Sequence, residues 1–276
     1  MDKTTKHHRG RRRKKQKSNF LSNLILIIAI AVFCYAAYNL WVIFSEYHEG
    51  SSEYENIQEL VIIQKEPEVT ENSEEEETQE TEVQFQVDFA TLKEMNADVV
   101  AWIRFDEPSV ISYPVVLGID NAKYLTTTFE GNKNAAGTLF IDMVNNGDFS
   151  DRNTFIYGHN MKNGAMFGRL REYKSAEFYK QNPYFYIYTP DGKETTYQVY
   201  SVAIVEDTSE SYTKAFASDE AFVDYLQYIK GLSRYDTGVT ADASSQLVSL
   251  STCTNVRDNE RLVVHGVKIS EKMTEE

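Results

Sequence analysis

Between residues 18 and 45 the chain carries no charged side chain, and the centre of that stretch reads LILIIAIAVFCYAAY. A helix needs about 20 consecutive apolar residues to cross a bilayer, and this run supplies them. A cleaved secretory signal has a shorter apolar core and a small-residue cleavage site. Here Tyr35, Tyr38 and Trp41 follow instead, as rings at a membrane interface do. Residues 1–17 carry nine Lys or Arg against the single Asp2. Basic flanks stay cytoplasmic, so the sequence predicts a cytoplasmic segment at 1–17, an uncleaved signal anchor at 18–45 and an extracellular remainder. Nucleic-acid binding by the basic run fits poorly with its place against a membrane span.

From residue 46 to residue 82 there are fourteen acidic residues, with EEEE at 74–77, and Lys65 is the one basic residue. Such a composition buries too little apolar surface to fold, which predicts a solvated, disordered acidic stalk at 46–82. The whole chain has a formal charge of −14, of which residues 83–276 keep −9. Those 194 residues are enough for one extracellular domain with a sizeable core. Their acidic balance argues against binding a phosphate backbone.

Within this domain the pattern is that of β structure. VVAWIRF, YPVVL, GTLFID, NTFIYG, YFYIY, TTYQVYSVAIV, QLVSLST and RLVVHGVKI are short runs rich in β-branched and aromatic residues, separated by Gly, Asn, Asp and Pro. About eight strands predict a barrel or sandwich. Asp88 is placed to cap a short helix, FATLKEMN. A second helix is predicted over 218–231, with Phe222, Leu226 and Ile229 on its apolar face and Gly231 at its end. There is no internal repeat and no Gly-rich phosphate loop.

The chain has two cysteines. Cys34 lies in the predicted span and Cys253 outside it, so no disulfide forms within the domain. A lone extracellular thiol is an inert buried group, half of an intermolecular bridge, or a nucleophile. The domain holds two histidines. His159, in IYGHNM, follows a strand end where a side chain is well presented, and His265 lies inside the last strand. Arg261 opens that strand, eight residues after Cys253. If the two strands pair as a hairpin, Arg261 stands opposite or nearly opposite the thiol. His265 is four residues further, about 13 Å at roughly 3.3 Å per residue, which is too far for proton transfer. His159 is therefore the candidate base. One thiol and two imidazoles make no convincing zinc set, so no metal is expected.

LSTC at 250–253 with Arg261 behind it and YGHN at 157–160 ahead of it resembles the sortases, membrane-anchored cysteine transpeptidases of Gram-positive bacteria. LKEMNADVVAWI, YPVV, DNAKYL, GTLFID, NTFIYGHNM, MFGRL and the 218–231 helix resemble class B in particular, over residues 89–269. The resemblance implies an eight-stranded β-barrel with N-terminal helices and a helix inserted between two late strands. It implies Cys253 as nucleophile, His159 as proton shuttle and Arg261 as the carbonyl-stabilising residue, with Asn121, Leu125, Tyr157 and Ser251 lining the substrate groove. Thr254 departs from the Glu that some class B members place after the cysteine. The implied partners are secreted proteins ending in an NPxTN-, NPxTG- or SPxTG-like sorting signal, and a peptidoglycan or precursor amine. No cofactor is implied. Some class B members join pilin subunits through a lysine amine instead. Two other readings differ in kind. L,D-transpeptidases place Gly before the cysteine, where Thr252 stands here. A membrane-tethered binding or sensor domain accounts for anchor and barrel but not for the spacing of His159, Cys253 and Arg261.

Overall fold

The computed structural model describes residues 20–65, 84–107 and 110–274. The predicted cytoplasmic segment and residues 66–82 of the predicted stalk lie outside the described residues. Two compact units are distinguished, Met1–Ser45 and Glu46–Glu276. Helix α1, Phe20–Val61, begins in the first and ends in the second. In the first unit its large apolar side chains from Leu24 on are exposed on all sides, between 40% for Val42 and 73% for Phe44. It is long and apolar enough to cross a membrane.

The second unit is built on a closed barrel. Strands β1 (Ile62–Lys65) and β2 (Gln84–Val87) form a small separate sheet, followed by α2 (Phe89–Met95). Next come β3 (Val99–Arg104), β4 (Ser112–Val116), β5 (Leu139–Ile141) and β6 (Asn153–Tyr157). Helix α3 (Ala176–Gln181), β7 (Tyr184–Tyr188), β8 (Lys193–Glu206), α4 (Asp219–Leu232), β9 (Leu247–Cys253) and β10 (Glu260–Met273) complete the chain. The barrel closes in the order β10-β8-β7-β3-β4-β5-β6-β9, so each of the eight predicted runs supplies one stave. The pairs β4–β5 and β6–β9 are parallel and the rest antiparallel. Strand β9 lies between β6 and β10 and is buried along its whole length until its last residue, Cys253.

Local chemistry explains both expected helices. The Asp88 carboxylate accepts the Thr91 amide at 3.0 Å and caps α2. The Ser218 hydroxyl accepts the Ala221 amide at 3.2 Å and caps α4, whose buried face is Phe222, Tyr225, Leu226 and Ile229. That helix lies between β8 and β9, the place expected for the insertion.

The stalk boundary differs from expectation. Residues 46–61, assigned by composition to a solvated stalk, continue as helix, and Tyr54, Ile57 and Val61 are buried in the main core. The Tyr54 hydroxyl donates to the Gly137 carbonyl at 2.5 Å. The acidic residues serve as acceptors: Glu46 takes the Ala135 amide at 2.9 Å, and Glu53 takes the Glu130 amide and the Asn132 side chain, each at 3.1 Å. Counting charge along the sequence averages over a helix whose apolar face recurs at three- and four-residue steps. A domain cut at Val83 would leave the core contacts of Tyr54, Ile57 and Val61 uncovered.

Candidate active site

The register of β9 on β10 places Cys253 directly opposite Arg261. Cross-strand partners point to the same face with Cβ atoms about 4.5–5.5 Å apart, so guanidinium and thiol share one surface. On the other side β6 runs parallel to β9, with Tyr157 level with Ser251. Parallel strands end at the same rim. The chain therefore leaves β6 through Gly158 and His159 where β9 delivers Thr252 and Cys253. Gly158 permits the close approach: a Cβ there would lie 2.3 Å from the Leu139 side chain and 2.8 Å from that of Phe167. Two amides then tie the exits together. Asn160 Nδ2 donates to the Cys253 carbonyl at 2.8 Å, and Asn255 Nδ2 donates to the Asn160 carbonyl at 2.9 Å. Asn255 turns the chain at φ 61°, a left-handed conformation that Asn tolerates.

His159 Nε2 lies 2.7 Å from the Leu125 carbonyl. A carbonyl only accepts, so Nε2 carries the hydrogen, and in the neutral ring Nδ1 is the nitrogen left to take a proton. His265 is different in every respect. It is fully buried, level with Ser249, and its Nδ1 lies 2.7 Å from the Ser249 hydroxyl, which itself donates to Asn153 at 2.6 Å. Burial lowers its pKa to about 3, and it is a neutral core residue.

Cys253, His159 and Arg261 line one groove of about 340 Å³, together with Asn121, Leu125, Tyr157 and Ser251. A larger cleft of about 670 Å³, around Arg104, Tyr186 and Tyr188, has neither cysteine nor histidine in its wall among the described residues. A family profile described as the sortase domain matches residues 110–269. Sortase B of Listeria monocytogenes is 36% identical over 179 residues, 63% of this chain and 71% of the relative. Sortase B of Staphylococcus aureus is 29% identical over 180 residues, 64% and 72% of the two chains. The crystal structure of sortase B from B. anthracis in complex with AAEK1 matches with a TM-score of 0.68 at 30% identity, covering 83% of this chain and all of that one. The chain belongs to the sortase family. It is a sortase B-like cysteine transpeptidase on the eight-stranded sortase barrel.

The four groove residues expected from the resemblance are present in this sortase with distinct partners. Asn121 Oδ1 accepts the Met143 amide at 2.8 Å and fixes the turn after β5. Leu125 contributes its carbonyl to His159 and a side chain 41% exposed. The Ser251 hydroxyl pairs with that of Tyr212 at 2.7 Å. Tyr157 donates to Asp142 Oδ2 at 2.8 Å, and the same carboxylate meets Lys214 Nζ at 3.0 Å. Burial pushes the Asp142 carboxyl up, but Tyr157, the Val144 amide and Lys214 outweigh it and hold it below the usual range. The Tyr157 phenol is pushed far up, first by burial and then by that carboxylate, so it stays a neutral donor.

Asp207, Tyr212, Lys214 and Phe140 also line the groove and escaped the sequence reading. Three of them lie in the polar DTSESYTK connector between β8 and α4, where no periodicity or motif marks them. Phe140 sits in GTLFID, legible as strand but not as groove wall. Tyr212 stacks on Phe155 at 5.2 Å between centroids, and its pKa is pushed up to about 12, chiefly by burial.

Proposed function

We propose that this sortase cleaves the C-terminal sorting signal of secreted proteins after threonine and joins the new end to a peptidoglycan amine. The observation that supports it best is the direct pairing of Arg261 with Cys253, in the groove that also holds His159. In this scheme the Cys253 thiolate attacks the threonine carbonyl. Arg261 donates hydrogen bonds to the carbonyl oxygen as negative charge develops on it. His159 passes a proton to the departing amine, which leaves a thioester on Cys253. The acceptor amine then gives its proton to His159 and attacks the thioester. An amide forms and the thiolate is released. Signals of NPxTN, NPxTG or SPxTG type are the proposed substrates. A solved sortase B complexed with triglycine is 28% identical with a TM-score of 0.61, and a chain ending in a free amine is the acceptor chemistry the second step needs.

Mass spectrometry of the enzyme mixed with a sorting peptide is expected to show the N-terminal peptide fragment bound to Cys253. Hydroxylamine is expected to release it as a hydroxamate. Cleavage without an adduct under any trapping condition would sink the covalent scheme.

The proposal includes an orientation, with residues 1–17 cytoplasmic and the barrel outside, supported by nine basic residues before the uncharged span. Protease added to intact protoplasts is then expected to digest the barrel and spare the basic flank. Protection of the barrel would reverse the orientation.

A further inference from the structure

The guanidinium of Arg261 is gripped at three points. Nη1 donates to the carbonyls of Asp258 at 2.6 Å and Glu260 at 3.1 Å, and Nη2 donates to Asp207 Oδ2 at 3.2 Å. Of the five guanidinium N–H groups, these contacts leave two for a substrate oxygen. One carbonyl lies in the turn that leads into β10 and the other on the strand's first residue, so both travel with Arg261 and cannot fix it relative to the rest of the groove. Asp207 comes from elsewhere. It is the first residue past β8, and its amide donates to the Asn259 carbonyl at 2.9 Å, which pins it to the same turn. The nearby Glu260 carboxylate is engaged by the Thr254 hydroxyl at 2.8 Å. Asp207 is the one side-chain carboxylate within ion-pair distance of Arg261 among the described residues.

The pair is too open to be a fold device. The Asp207 side chain is 42% exposed and that of Arg261 23%, and exposed ion pairs add little to folding stability. Orientation is a different matter. Arginine has many rotamers, and a donor serves a developing oxyanion only when it is held at hydrogen-bond distance from where that oxygen will be. Tyr212, Arg261, Asp207 and Cys253 all line the same groove.

We propose that Asp207 is a positioning residue for transpeptidation: its carboxylate sets the Arg261 guanidinium so that the remaining N–H groups face the carbonyl under attack. The proposal rests on the role given to Arg261 above. Thr254 bears on it too, because the position after the cysteine carries no carboxylate here and the ion-pair partner is supplied from the end of β8.

The test is single-turnover thioacyl formation on a sorting peptide, followed by mass spectrometry, together with steady-state rates and thermal melting. Asp207→Ala is expected to lower kcat roughly tenfold or more, since small misplacements of a catalytic donor are costly. KM should stay within about twofold, because the contact is needed in the transition state rather than in binding. Asp207→Asn, whose amide oxygen still accepts from Nη2, is expected to recover most of the rate, and both variants should melt with the parent. In an Arg261→Lys background the added Asp207→Ala should cost less than about threefold, because the two side chains act as one unit. Full activity of Asp207→Ala, or an equal loss in both backgrounds, would overturn the proposal. If Arg261→Lys is impaired and Asp207→Ala is not, the Asp207 role alone falls. If Arg261→Lys keeps its turnover, the Arg261 assignment falls first and this one with it.

Discussion

Cys253→Ser is expected to lower turnover of a sorting peptide by about 1000-fold or more, the scale on which enzymes lose rate when their nucleophile is removed. A serine hydroxyl is a much weaker nucleophile at neutral pH without a dedicated base. Arg261→Lys is expected to cost roughly 100- to 1000-fold, the range for losing one oxyanion donor. The reason lies in the contacts already made. Arg261 reaches three acceptors at once and keeps N–H groups in reserve, whereas an ammonium has three donors on one atom and cannot span them. Both residues sit half-buried at the rim end of the β9–β10 pair, so the barrel should survive either change. The measurement is continuous cleavage of a fluorescence-quenched peptide, with melting curves as the fold control. Efficient cleavage by Cys253→Ser would remove the thioacyl chemistry, and wild-type turnover by Arg261→Lys would remove the oxyanion role.

Much of the barrel was legible because its signal is local. A run such as NTFIY or LVSLSTC carries its own strand preference, and the Gly, Asn, Asp and Pro between runs mark where each stops. The α4 helix was equally plain, since its apolar side chains repeat at 3.6 residues. Residues 46–61 hide their helix for a physical reason. Tyr54, Ile57 and Val61 form a buried stripe three or four residues apart, and the glutamates around them dominate any average taken along the chain. Neither strand order nor the parallel β6–β9 contact can be read from such runs, because pairing between distant segments is decided by the closed barrel as a whole.

The site divides along the same line. Arg261 opposite Cys253 follows from a hairpin offset, and that offset was read from spacing. Tyr212, Lys214 and Asp207 sit in a connector whose residues look like any solvated loop, and only the fold carries them to the groove. The orientation of His159 rests on a backbone carbonyl, that of Leu125, and a carbonyl leaves no trace in residue identity. Of the two asparagines that join the exits of β6 and β9, Asn160 stands in the YGHN motif, yet the partners of both lie more than ninety positions away.

The contrast between the two histidines gives the second large effect. His159→Ala is expected to lower peptide cleavage by two or more orders of magnitude, the usual scale of general acid–base help. Its ring lines the groove, and with Nε2 committed to the Leu125 carbonyl the proton must be exchanged at Nδ1. His265→Ala is expected to retain most of its turnover per folded molecule, because that ring is enclosed in the core beside Ser249. Its effect should appear in stability and in pH dependence. Burial lowers the folded pKa of His265 from 6.5 to about 3. As pH falls below about 6.5 the unfolded chain takes up a proton that the folded chain refuses. The fold therefore loses stability between those two pH values, by up to about 1.4 kcal/mol per pH unit for one proton. Above pH 6.5 this group adds no slope, since both states are neutral. Denaturation of wild type and His265→Ala across that window should differ by this increment. Turnover of the same two proteins and of His159→Ala should separate by the imidazole that lines the groove. A catalytic collapse in His265→Ala with its fold intact, beside an active His159→Ala, would exchange the two assignments.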